Sequence, residues 1–76
     1  MIKEHDRVVL AVDVPSEALV AGDVGTIVHV YQDKQAFEVE FTTLEGKTAA
    51  VVTSEVLQVR PVGKREITHA RELASR

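Results

Sequence analysis

The residue types able to do chemistry are few and scattered. Three histidines (His5, His29, His69), three aspartates around one early loop (Asp6, Asp13, Asp23) and three serines (Ser16, Ser54, Ser75) are the candidates for metal ligation, general acid-base work and nucleophilic attack. Their spacing argues against each role. The histidines fall on three separate segments with no H-x-H or H-x-x-x-H pair, so no two share one strand or helix face. The serines stand in polar turn or tail contexts, without the G-x-S-x-G setting that exposes a nucleophile. The aspartates would need a cleft that shifts their pKa values, which so small a domain rarely encloses, and they read as solvated turn acids. No catalytic residue, metal site, cofactor or small-molecule substrate is expected. With no cysteine, disulfides and thiolate sites are excluded.

One further motif invites a ligand. In "VAGDVGTIVHVY" Gly22 and Gly25 bracket Asp23, and turns of this kind can aim successive backbone N–H groups at a phosphate. Yet no Lys or Arg lies between Arg7 and Lys34, and Asp23 sits inside the turn, so the local field repels an anion. The glycines are expected to serve the fold, by allowing positive φ and close backbone approach.

The elements that must position these residues are short. A chain of 76 residues makes one small domain that hides only about 60% of its unfolded surface. Segments 7–14 and 25–31 are rich in β-branched residues, and residues 36–41, "AFEVEF", alternate cleanly with Phe37, Val39 and Phe41 on one face and Glu38 and Glu40 on the other. Segments 47–52 and 56–60 supply two more strands, with turns at "QDKQ" and "TLEG" between the second, third and fourth. Five antiparallel strands in about sixty residues predict a mostly β fold, a small barrel over residues 1–60. Residues 61–76 form a tail. "GKREITHARELASR" has good helix formers, no internal Gly or Pro, and a stripe of Ile67, Ala70 and Ala74 with Leu73 beside it, so a short C-terminal helix is expected. A dozen residues is marginal for a helix alone in water, so this one must dock.

Charge is divided between the two parts. Residues 1–59 hold four Lys/Arg against ten Asp/Glu, net −6, whereas residues 60–76 hold five against two, net +3. A basic tail on an acidic body suggests that Lys64, Arg65 and Arg71 face acids such as Glu38, Glu40 or Glu45, in the same chain or in a partner.

The segments "DRVVLAVDVP", "GDVGTIVHVY" and "FEVEF" together resemble a family of short bacterial proteins of unknown function, over residue 2 to about residue 73. The long loop after the first strand, the G-D-V-G turn and the meander that follows are similar to an SH3-like barrel. Pro15, Gly22 and Gly25 also match the barrel of the nitrile hydratase β subunit. That barrel is an accessory element whose metal lies in the other subunit, so the resemblance implies no catalytic residue here. Members of the resembled family look like small companions of other bacterial proteins, which implies a non-enzymatic interaction or accessory subunit, as in a toxin-antitoxin-like pair.

Composition narrows the partner. Proline-rich peptides need an aromatic-lined groove, and the chain offers only Tyr31 beyond the two phenylalanines assigned to the core. Nucleic acid would be repelled by the acidic body, so a nucleic-acid-binding module could work only through the tail. A protein partner or homo-oligomer is expected, with Tyr31, Lys64, Arg65, Ile67, Ala70, Arg71, Leu73 and Ala74 as the candidate interaction surface. The charged start and the lack of a long apolar stretch predict a cytoplasmic domain with no signal peptide and no membrane association. Val8, Leu10, Ile27, Val28, Phe37, Val39, Phe41, Val51 and Leu57 are the expected core. Phe41→Ala should cost about 3–5 kcal/mol in urea denaturation, enough to unfold a thin core.

Overall fold

A computed structural model describes residues 2–73. Five strands are present, β1 (Arg7–Leu10), β2 (Val24–Val30), β3 (Ala36–Thr42), β4 (Thr48–Glu55) and β5 (Val59–Pro61). They form one antiparallel sheet in the order β4-β3-β2-β1-β5. β4 and β5 are its two edges, yet only the 3-10 turn Val56–Gln58 joins them. Four residue steps span at most about 14 Å, whereas the edges of a flat five-stranded sheet lie about 19 Å apart. The sheet is therefore curled, and two hydrogen bonds hold the short link: Val56 N donates to Gln35 O at 3.0 Å and Ala11 N to Gln58 O at 2.7 Å.

The curl encloses the core. Val8, Leu10, Leu19, Ile27, Phe37, Val39, Phe41, Ala50 and Val59 are all buried in one cluster. The alternation in β3 is as expected, with Phe37, Val39 and Phe41 inward. Three expected core residues are not buried, each for a local reason. Val28 sits at a bulge, because Ile27 pairs with Val39 but His29 pairs with Glu38, and the extra residue is pushed outward. Val51 pairs with Glu40 on the outer face, which leaves Ala50, Val52 and Ser54 on the inner one. Leu57 belongs to the 3-10 turn rather than a strand and is 88% exposed. Leu19, from the long β1–β2 loop, joins the buried cluster instead.

The tail is also a correction. Residues 62–73 contain no helix among the described residues; a turn at residues 63–66 is followed by an irregular arm. Ile67, the first residue of the expected apolar stripe, is 93% exposed, and with so little burial a helix this short does not offset the cost of its nucleus. Ala74, the last residue of that stripe, lies outside the described residues.

The two glycines of the G-D-V-G turn do different work. Gly22 has φ +100° and open space around it, so it supplies backbone freedom. Gly25 does not have positive φ. It lies within β2 where a Cβ would come 2.6 Å from Val39 Cγ1, 2.8 Å from Phe41 Cε2 and 3.0 Å from Glu40 O, so it permits close packing of β2 on β3. Gly25→Ala should therefore destabilise by about 1–3 kcal/mol through overpacking, and adding Val39→Ala should recover part of that loss. Gly22→Ala should cost about 1–2 kcal/mol from backbone strain alone, with no recovery from the same second change. Urea denaturation of the two double-mutant cycles distinguishes the mechanisms.

Candidate functional site

The arm returns to the sheet and contacts the β1–β2 loop. That loop, residues 11–23, is braced internally: Val14 and Leu19 exchange backbone hydrogen bonds, Asp13 Oδ1 accepts from Ala21 N at 2.8 Å, and Asp23 Oδ2 accepts from Val20 N at 3.0 Å. Asp6 similarly accepts from Lys3 N at 3.0 Å. The three aspartates expected as solvated turn acids thus each hold a backbone N–H. Asp23 also holds the arm. Arg71 Nε donates to its Oδ1 at 2.9 Å and Arg71 Nη2 to its Oδ2 at 2.5 Å, while the same Nη2 donates to Ala18 O at 3.1 Å. Ala18 adopts φ 59°, at the end of the 3-10 turn Pro15–Glu17. The Asp23 side chain is only 15% exposed and that of Arg71 30%. The guanidinium hydrogen bond pulls the Asp23 carboxyl below its ordinary range against the opposing effect of burial.

Beside this clamp runs a groove of about 750 Å³, bounded by the β1–β2 loop, the β3–β4 turn and residues 68–73 of the arm. Leu19, Gly22, Phe41 and Leu73 contribute apolar wall, and Leu44 stands at its lip, 97% exposed. Asp23, Glu40 and Glu45 line it from the body, against a single cation there, Arg7.

The other candidate residues lie apart from the groove or beside it. Lys64 and Arg65 are the exposed central residues of the turn at 63–66. That turn is closed by Glu66, whose carboxylate accepts from Gly63 N at 2.5 Å and from Arg60 through two bonds at 2.8 and 2.6 Å. Ala70, Arg71 and Leu73 line the groove, and Ile67 projects into solvent. Tyr31 is at the far end of β2 from Asp23, about 25 Å along an extended strand. Its hydroxyl donates to Glu38, its ring meets His29 edge-on at 4.7 Å, and Thr53 Oγ1 donates to the same carboxylate at 2.7 Å. The Thr53 and Tyr31 hydroxyls together lower the Glu38 pKa, and Glu38 in turn raises that of Tyr31. Of the acids expected to meet the tail, Glu38 and Glu40 instead accept from neighbouring hydroxyls, Glu40 from Thr48 Oγ1 at 2.5 Å. The tail's acid is Asp23. No group of three or more His, Asp or Glu side chains among the described residues is arranged to hold a metal ion.

The profile of a domain of unknown function, DUF4926, matches residues 4–61. The chain belongs to the DUF4926 family. The matched region runs from the segment before β1 to the last residue of β5, so the DUF4926 domain contains Asp23 and the loop that braces it, whereas the arm and Arg71 lie beyond it. No curated protein and no solved structure matches this DUF4926 chain. No helix of the described residues is long and apolar enough to cross a membrane.

Arg60 and Gly63 together hold the Glu66 carboxyl down at about 2. Folding depresses this group, so its contribution is complete above the ordinary value of 4.5 and is lost as pH falls through about 2. The Gly63 amide resonance should therefore keep its folded position as pH falls through 4.5 and move only as pH approaches about 2, whereas Glu66→Gln should displace it at every pH.

Proposed function

We propose that the protein is a small SH3-like barrel that acts without catalysis, as an accessory subunit binding another polypeptide. The strand order, with β1 between β2 and β5, and the curl forced by the 3-10 link support the barrel. One observation carries the binding role: the groove at the β3–β4 turn lies alongside a length of irregular polypeptide, residues 68–73, and leaves the Leu44 side chain almost wholly in water at its lip. An extended apolar side chain at the edge of an acidic groove suits a protein partner with complementary basic and apolar residues. A companion role of the toxin-antitoxin kind is consistent with so small a domain, but rests on the family likeness alone.

Nucleic acid is the weaker reading. Arg60 and Arg71, two of the cations it would require, are paired with Glu66 and Asp23. A photo-crosslinking residue placed at position 44 should join the barrel to one host protein in a defined ratio, whereas the same residue at position 57, also largely exposed, should not. The crosslink should still form when nuclease and high salt are present before irradiation, since a protein contact with an apolar centre does not depend on counterion release. Equal, diffuse labelling from both positions, or loss of the complex on nuclease treatment, overturns the assignment.

A further inference from the structure

We infer that the Asp23 carboxylate and the Ala18 carbonyl form an arginine-selective cradle for an extended segment of the partner, and that the chain's own Arg71 occupies it as an internal competitor. The inference rests on the protein-binding reading above and names the chemistry of the ligand: an arginine followed two residues later by an apolar side chain, as Leu73 follows Arg71.

The cradle is built by the body, not by the arm. Asp23 is oriented by Val20 N, and Ala18 turns its carbonyl toward the same point through its left-handed backbone. The Asp13 bond to Ala21 and the Val14–Leu19 bridge fix the loop between them. A carboxylate and a carbonyl at this spacing take donors from both the Nε and the Nη2 edge of one planar guanidinium. A lysine ammonium presents a point charge on a flexible stem and cannot span the three acceptors in this way.

The arm is attached loosely enough to be displaced. Every residue from 62 to 73 is exposed, and Ile67, its most apolar side chain, packs against nothing. The Arg71 fork is thus its principal anchor on the loop, and one ion pair shared with solvent at its edge is a modest hold for a whole arm. A ligand binding to a cradle that is open only part of the time loses affinity by the open fraction. The groove beyond the clamp supplies a partner with more than the arm takes: an acidic lining complementary to the arginine, and Leu44 still uncovered.

The test compares the full chain with its Arg71→Ala variant, which removes the guanidinium fork and leaves every residue of the cradle in place. Each is titrated with a peptide of the sequence EITHAREL, that of residues 66–73, and with the same peptide carrying lysine for arginine, following the Ala18 and Asp23 amides by NMR. The arginine peptide should bind the variant about two- to fivefold more tightly than the wild type, reflecting release of a weak clamp. The lysine peptide should bind about tenfold more weakly than the arginine one. Asp23→Asn added to Arg71→Ala should abolish the shifts. Equal affinity for both proteins overturns the internal competitor, and equal affinity for both peptides, or no binding, overturns the cradle. Should the peptide fail while the crosslink from position 44 persists, only this inference falls; loss of that crosslink removes the broader reading.

Discussion

A three-residue link between opposite edges of a five-stranded sheet is the constraint on which the molecule depends. Because Val56–Gln58 must carry the chain from β4 to β5, the sheet cannot lie flat, and its inward face holds the buried core with no covering helix among the described residues. The hydrogen bonds from Val56 to Gln35 and from Ala11 to Gln58 tie the link to the β2–β3 turn and to the end of β1, so the curl is held at both ends. Curling also brings strands close. Gly25 is the accommodation at the tightest point, where β2 crosses Val39 and Phe41 with no room for a methyl group. Leu19 then closes the core from the loop, which couples that loop's shape to the stability of the sheet.

The same coupling sets up the candidate site. A loop that must deliver Leu19 inward has to reverse sharply on either side of it, and Asp13 and Asp23 serve as the side-chain acceptors that make those reversals possible. Asp23 is thereby fixed with its second oxygen available. A brace required by folding is thus already in the geometry that a guanidinium needs, and the arm's contact adds only the counterion.

What could be read from the chain followed the range of the interactions involved. The "FEVEF" alternation states which side of β3 is buried, because a strand's faces alternate regardless of its neighbours. Val28, Val51 and Leu57 were illegible for the opposite reason: a bulge, a pairing register and a 3-10 turn are decided by the partner strand and the link, and nothing in their own residue types reports them. The tail has helix-forming composition but lacks an apolar face wide enough to be held, so its composition misleads. Its basic character was legible. Which acid it meets was not, because Asp23 is 48 positions away and the surrounding cation-free stretch marks it only as acidic surface.

The placement of β5 bears on how the molecule assembles. Three of the four strand pairings join neighbours in sequence and need only a turn or a loop to close, but β1 pairs with β5 through Val8 and Pro61, near opposite ends of the matched domain. The β2-β3-β4 meander can therefore organise early, while the last strand must wait for nearly the whole chain to be collapsed around it. During synthesis that strand emerges after the other four, so a nascent chain held at the ribosome exposes the β1 edge that β5 will cover. Pro61 and the brevity of β5 give the completed edge little capacity to template another strand, and the interval of risk ends when this closing piece is in place.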